Sequence, residues 1–287
     1  MSEQLTKVKF SNLDKILYPK PKITKKQIIE YYIKIAPRIL DLVAERAIVT
    51  TRFPDGVEEK GFFGKDAPQG TPEWVKTVEI YSKSSRRDVN YLVIDDVDTL
   101  IWLGNMAALE IHMPLSRIDE RDKPDFVLFD IDPEPPATFQ NAIDVALFLK
   151  DRLDQLSLNS YVKTSGKKGL HIVVPIQREY KFSVTREFAH IIGQHLAKQM
   201  DIVVSEFPQT KEKGKVFLDY TQNAHGKTMV IPYGLRATPD ATVSTPLAWT
   251  EVKKGLKPEA FNLLTVTKHK EDPWKEIFTN RQKLVVK

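Results

Sequence analysis

Phe126-Val127-Leu128-Phe129-Asp130-Ile131-Asp132-Pro133 sets two carboxylates at the end of an apolar run. A short apolar run that stops at a proline reads as a buried strand, because Pro133 bars further ladder pairing. Positions i and i+2 of a strand share a face, so Asp130 and Asp132 project side by side. Two adjacent, partly buried anions repel unless a cation sits between them. Hard divalent ions such as Mg²⁺ and Mn²⁺ take such oxygen ligands, usually alongside substrate phosphates. Acidic pairs also close ordinary strands, so the pair alone leaves metal ligation and simple strand termination both open.

Four further places carry chemistry. Ser165-Gly166-Lys167-Lys168-Gly169-Leu170-His171 lies between two apolar strands, with glycines for close backbone approach and two cations for an anionic ligand such as a triphosphate. It is not a Walker loop, since its glycine spacing is wrong and a strand follows it. A tight hairpin with exposed lysines would account for the same residues. Val216-Phe217-Leu218-Asp219-Tyr220 ends a second apolar strand in a carboxylate, and Asp219 beside Asp130 and Asp132 is a candidate third metal ligand. His112, in Glu110-Ile111-His112-Met113-Pro114, closes another segment. Arg236, in Pro232-Tyr233-Gly234-Leu235-Arg236-Ala237, follows an apolar strand and can present a fork to phosphate. Taken singly, His112 reads equally as a structural histidine and Arg236 as a surface ion-pair partner.

Elements of two kinds must position these groups. Thr24 to Ala47 reads as a long helix, with Thr24 and Gln27 at capping-box spacing and Ile28, Tyr32, Ile35, Ile39 and Val43 as its apolar stripe. Pro37 is expected to kink or divide it. Asp98–Glu110, Thr138–Leu156 and Thr185–Met200 read as further helices. Strands are expected at Ala47–Arg52, Tyr91–Ile94, Asp125–Asp132, Ser160–Thr164, Gly169–Pro175, Lys215–Tyr220 and Thr228–Pro232. This mixed order implies an α+β fold with helices packed on largely antiparallel sheets.

Composition excludes several classes. The chain of 287 residues buries a substantial core, and its 41% hydrophobic and 28% charged content is that of a globular protein. No apolar run reaches the ~18 residues that span a membrane, and the N-terminus lacks the apolar core of a secretory signal, so a cytoplasmic protein is expected. Without cysteine, disulfides and thiolate zinc sites are impossible. The net charge of +5 permits a polyanionic partner. Its lysines cluster at Lys15, Lys20, Lys22, Lys25 and Lys26, and again at Lys211, Lys213 and Lys215 around Gly214; such runs are also ordinary solvated faces. No repeat, low-complexity block or Gly/Ser linker appears, so a single compact domain of two interlocked lobes over residues 1–287 is expected.

The order of these motifs, from Asn12-Leu13-Asp14-Lys15-Ile16-Leu17-Tyr18-Pro19 and Gly61-Phe62-Phe63-Gly64-Lys65 through His112-Met113-Pro114, Asp130-Ile131-Asp132-Pro133, the Ser165–His171 loop and Leu218-Asp219-Tyr220 to Pro232–Ala237 and Thr245-Pro246-Leu247-Ala248-Trp249, strongly resembles the polymerase domain of bacterial and archaeal ligase D. That family belongs to the archaeo-eukaryotic primase superfamily, and the resemblance covers about Phe10 to Trp274. The ligase and phosphoesterase domains often fused to it do not follow here, so a stand-alone form is expected.

The resemblance implies a primase-type catalytic module with an RRM-like sheet, packed with a second sheet-containing module. It implies that Asp130, Asp132 and Asp219 bind two Mg²⁺ or Mn²⁺ ions, and that Ser165, Lys167, Lys168, His171 and Arg236 surround an incoming NTP or dNTP with His112 nearby. Lys15 and Lys25 would grip a downstream 5′-phosphate, with the free N–H groups and dipole of the helix start assisting. Arg52, Phe62, Phe63 and Lys65 would also face DNA, the two phenylalanines stacking on template bases. The expected activity is short gap filling and end extension in non-homologous end joining, nucleoid-associated, alongside separate Ku-like end-binding and ligase proteins. A true primase starting chains de novo and a catalytically inactive DNA-end binding module are the alternatives. One departure is His225, in Asn223-Ala224-His225-Gly226-Lys227-Thr228, where many relatives carry arginine; Lys227 is expected to compensate.

Overall fold

The apolar run before Asp130 forms strand β8, Phe126–Pro133, in which Val127, Phe129 and Ile131 are buried on one face and Asp130 and Asp132 are half-buried on the other. These positions come from a computed structural model that describes residues 6–206, 212–269 and 271–284. The chain separates into two compact units. Unit 1 comprises residues 1–113, 230–243 and 262–270; unit 2 comprises 114–229, 244–261 and 271–287.

Unit 1 begins with a short antiparallel pair, β1 (Ile16–Tyr18) and β2 (Ile23–Thr24), which leads into helix α1, Lys25–Val43. The Thr24/Gln27 capping box is present, and the whole predicted stripe, Ile28, Tyr32, Ile35, Ile39 and Val43, is buried. Pro37 does not divide α1. It sits on the exposed side, where a carbonyl deprived of its helical partner can be hydrated. Strands β3 (Val49–Arg52), β4 (Phe62–Gly64) and, after the β5–β6 hairpin (Thr77–Ser82 and Arg87–Leu92) and helix α2 (Val97–Asn105), β7 (Ala108–Pro114) follow. Antiparallel β3 stands between β4 and β7.

Two expectations fail here. The predicted Asp98–Glu110 helix stops at Asn105, and Glu110 lies on β7. Ala107 has a left-handed φ of 53°, which reverses the chain, and Leu109, Ile111 and Met113 then alternate as a buried strand face. The predicted Tyr91–Ile94 strand is the end of the longer hairpin partner β6, and its mate β5 is not predicted at all.

Unit 2 holds a six-stranded sheet. After β8 come α3 (Phe139–Gln155), β9 (Tyr161–Thr164), β10 (Leu170–Pro175), α4 (Phe182–Ala197), β11 (Val203–Val204) and β12 (Val216–Asp219). The strand order is β11-β12-β8-β10-β9, closed at the far edge by Pro246–Leu247, and only the β11–β12 pair is parallel. Taking β8, β9, β10 and β12 as strands one to four gives order 4-1-3-2 with helices after the first and third, the split βαβ arrangement of an RRM-like sheet.

Helices α3 and α4 cover one face. Val127, Phe129 and Ile131 of β8, Ile172 and Val174 of β10 and Val216 and Leu218 of β12 pack there with Ala142, Val145, Leu149, Ala189 and Leu196. Burial of each Val, Leu, Ile or Phe there stabilises by roughly 1.5–3 kcal/mol. A one-residue slip of β8 would forfeit three of them and drive both aspartates under the helices, so the register is firmly held. Lys211, one of the three lysines around Gly214, lies outside the described residues.

Candidate active site

The register of the unit 2 sheet builds a row of polar side chains across the face opposite the helices. Asp219 of β12 and His171 of β10 stand directly opposite Asp130 on either side, and Lys163 of β9 stands opposite His171. Directly opposite residues share a face, so the row reads Asp219, Asp130, His171, Lys163, with Asp132 one pleat further along β8. His171 Nε2 is 3.3 Å from Asp130 Oδ1, and His171 Nδ1 is 2.9 Å from Lys163 Nζ. Where β12 ends, the buried Asn223 side chain continues the ladder: its Oδ1 accepts from Leu128 N–H at 2.8 Å and its Nδ2 donates to Leu128 O at 2.7 Å. Both edges of β8 are thus held up to the first aspartate.

Asp130, Asp132 and Asp219 are therefore brought to one end of one face, as expected. Their hard oxygen donors suit Mg²⁺ or Mn²⁺. The Asp219 carboxylate is turned toward its own chain: Oδ1 accepts from Thr221 N–H at 2.8 Å and from Thr221 Oγ1 at 2.6 Å, and Oδ2 accepts from Gln222 Nε2 at 2.9 Å. Among the described residues no group of three or more His, Asp or Glu side chains encloses an ion position. Three hydrogen bonds leave the Asp219 carboxylate, which has about four lone-pair sites, able to accept a cation at Oδ2 as well.

The loop from Ser165 to Gly169 joins β9 to β10 as a tight hairpin. Ser165 Oγ accepts from Lys167 N–H at 3.3 Å and Gly169 N–H at 3.1 Å, and Gly169 O accepts from Ser165 N–H at 2.9 Å. Gly166 has a φ of 70°, a conformation glycine adopts without strain. Lys167 and Lys168 are exposed on the loop, and Lys168 Nζ reaches Glu134 Oε2 at 3.2 Å. Two backbone amides folded over one hydroxyl beside two exposed lysines give the hairpin a positive character.

In unit 1, Glu110 and His112 project from the same face of β7. Glu110 Oε2 is 3.7 Å from His112 Nε2, and Oε1 is 3.2 Å from Arg236 Nε, a charge contact without hydrogen-bond alignment. Oε1 also accepts from Ala237 N–H at 3.2 Å. Arg236 O accepts from the Tyr18 hydroxyl at 3.0 Å, and burial, reinforced by Tyr32 and Glu110, holds that hydroxyl's pKa well above its ordinary value. One buried carboxylate thus lies against both His112 and Arg236, the two groups that the sequence singles out.

Lys15 and Lys25 meet at the start of α1. Lys25 N–H donates to Lys15 O and Lys26 N–H to Leu13 O, both at 2.9 Å, and Gln27 N–H donates to Thr24 Oγ1 at 3.4 Å. The expectation that free helix N–H groups grip a phosphate is corrected by these bonds, because the loop before the helix already satisfies them. The lysine side chains remain. Lys25 is buried, and burial, with the neighbouring charge of Lys15, pulls its pKa below the usual lysine value. Lys15 Nζ pairs with Asp55 Oδ1 at 2.8 Å.

Phe62 and Phe63 are 55% and 65% exposed on edge strand β4, so neither packs in the core. As successive strand residues they project to opposite faces. Arg52 stands opposite Phe62 on β3, and Lys65 Nζ donates to Ser84 Oγ at 2.7 Å. His225 Nε2 lies 3.6 Å from Asp122 Oδ1, with its ring edge-on to Phe182.

Two positions escape a reading of the sequence. Glu110 disappears into an expected helix. Lys163 is the charged member of Tyr161-Val162-Lys163-Thr164, and a charge inside an otherwise buried strand is the available signal.

A family model described as LigD, primase-polymerase domain, matches residues 24–274. The bifunctional non-homologous end joining protein LigD of Bacillus subtilis (strain 168) is 34% identical over 262 residues, 91% of this chain and 42% of that protein. The multifunctional non-homologous end joining protein LigD of Mycolicibacterium smegmatis is 32% identical over 253 residues, 87% of this chain and 33% of that protein. The chain therefore spans less than half the length of these relatives. The solved polymerase domain from Mycobacterium tuberculosis ligase D in complex with DNA is similar with a TM-score of 0.89 and 28% identity, covering 96% of this chain and 100% of that one. The α+β architecture is thus of the archaeo-eukaryotic primase type, and the chain belongs to the family of LigD primase-polymerase domains.

Proposed function

We propose that this chain is a template-directed nucleotidyltransferase that fills short gaps and extends broken ends during non-homologous end joining. The observation that carries the reading is the register of β8 and β12, which aligns Asp219 with Asp130 beside Asp132 on the face opposite the helices. Asp130, Asp132 and Asp219 would hold two Mg²⁺ or Mn²⁺ ions. Bound divalent cations supply Lewis-acid stabilisation of charge on the attacking and leaving oxygens of phosphoryl-type transfer.

The chain's own residues do the rest. The Ser165 hydroxyl, having accepted two backbone N–H groups, keeps its proton to donate to a phosphate oxygen. Lys167 and Lys168 offer charge-assisted contacts to an NTP or dNTP triphosphate, His171 Nε2 stands beside Asp130, and Arg236 and His112 are further nucleotide contacts. Lys15 and Lys25 form the 5′-phosphate site: two neighbouring cations, one of them buried, are relieved by an anion. Arg52, Lys65 and the exposed Phe62 and Phe63 contact the DNA. The partners of this activity are gapped or broken DNA ends, a Ku-like end-binding protein and a DNA ligase.

Extension of a gapped duplex, with and without a downstream 5′-phosphate and in Mg²⁺ or Mn²⁺, tests the reading. We expect metal-dependent addition of one to a few nucleotides, enhanced by the phosphate and abolished by EDTA. Equal synthesis on an unprimed single strand would instead establish a primase, and no addition under any condition would establish an inactive end-binding module.

A further inference from the structure

Lys163 is fully buried in the middle of β9, a place where a lysine is rare unless its ammonium is paired. Two of its contacts have a defined hydrogen-bond direction. Ser244 Oγ donates its own proton to Thr164 O at 2.7 Å. Its 2.6 Å contact with Lys163 Nζ is therefore one in which the hydroxyl accepts. An ammonium has three donors and no acceptor, so the 2.9 Å contact with His171 Nδ1 is likewise a donation from lysine. With Nδ1 engaged as acceptor, the imidazole proton must reside on Nε2. That nitrogen lies 3.3 Å from Asp130 Oδ1, at the face where nucleotide chemistry is proposed.

We infer that Lys163 is a positioning residue that fixes the Nε2–H tautomer of His171 and holds its ring as a hydrogen-bond donor toward the nucleotide. The inference rests on the nucleotide site proposed above. A histidine with a free choice of tautomer would present an acceptor lone pair at Nε2 part of the time, and a lone pair repels both a carboxylate and a phosphate oxygen. A buried lysine behind Nδ1 removes that choice, as carboxylates and carbonyls do by the opposite polarity for metal-bound histidines. Ser244 Oγ and the β9–β10 pairing hold the ammonium in place, so Lys163 itself need not touch substrate.

The test uses the metal-free and nucleotide-free protein first. With ¹⁵N-labelled histidine at alkaline pH, His171, assigned by the signal lost in His171→Gln, is expected to show a non-protonated, hydrogen-bonded Nδ1 and a protonated Nε2. Lys163→Met is expected to give mixed tautomers at that residue, which a purely structural role would not produce. In gap filling, Lys163→Met and His171→Gln should each raise the apparent nucleotide KM roughly tenfold or more without changing duplex affinity. The double variant should be no worse than His171→Gln, since a residue acting through another adds nothing once that other is gone. A protonated Nδ1 in the wild type overturns the inference whether or not Lys163→Met folds, and additive KM effects overturn it as well. An unchanged KM in His171→Gln overturns the nucleotide site at His171 and the inference with it, whereas a raised KM there with a protonated Nδ1 overturns the inference alone.

Discussion

Gly169 passes so close to Ile131 that a Cβ on the glycine would meet the Ile131 carbonyl oxygen at 2.1 Å and Asp132 Oδ1 at 3.1 Å. The loop that carries the lysines and the strand that carries the aspartates are thus in direct contact, and the residue between them can have no side chain. Gly169→Ala must move either the end of β8 or the hairpin. We expect a fold that survives with a loss of about 1–3 kcal/mol in denaturant unfolding, and at least a roughly tenfold drop in nucleotide addition, because about 1 Å of displacement at reacting groups has effects of that order. Full activity in Gly169→Ala would show that the close approach does not set the site.

Removal of the carboxylates should separate chemistry from binding. Asp130→Asn and Asp132→Asn are expected to abolish nucleotide addition while duplex affinity, read by fluorescence anisotropy, changes by less than about threefold. Asp219→Asn should be severely impaired too, yet folded, since an amide oxygen still accepts from Thr221. EDTA treatment of the wild type should reproduce the Asp130→Asn result. Undiminished extension by either β8 variant would remove the proposed centre.

Lys25 is a trade between stability and function. Its folded pKa lies below the unfolded value, so the native state binds that proton less tightly and charging Lys25 opposes folding at neutral pH; the penalty fades as pH rises through the folded pKa. Lys25→Met is therefore expected to raise Tm by about 1–3 °C at pH 7, with the gain shrinking toward alkaline pH. The same variant, and more completely Lys15→Ala/Lys25→Ala, should lose the preference for 5′-phosphorylated gaps while still extending an open primer–template. A double variant that retains the preference would dismiss the phosphate site.

Phe62 and Phe63 are too exposed to matter for folding, so Phe62→Ala and Phe63→Ala should each alter unfolding free energy by no more than about 0.5 kcal/mol. If each ring stacks on a base, each variant should weaken single-stranded template binding by about 1–3 kcal/mol. Because the rings leave β4 on opposite faces, the two losses are expected to add. Template affinity equal to wild type in both variants would leave the rings without a nucleic-acid role.

Much of this protein is local in origin. The apolar run ending in Asp130-Ile131-Asp132-Pro133 specifies its own strand and puts both carboxylates on one face through a period of two, and Thr24 with Gln27 specifies where α1 begins. The motif order was sufficient to place the chain in its family. Where neighbours in sequence do not decide, the sequence is ambiguous or silent. The apolar pattern of residues 99–113 suits a helix and a strand alike, and the reversal at Ala107 settles it. The N–H groups at the start of α1 are indistinguishable in sequence from free ones until the backbone of Leu13 and Lys15 folds over them. Lys163, Glu110 and the alignment of Asp219 with Asp130 depend on which strands lie side by side. A strand's sequence dictates its faces, but its partner and register arise from burying the apolar faces of several distant segments under the same helices.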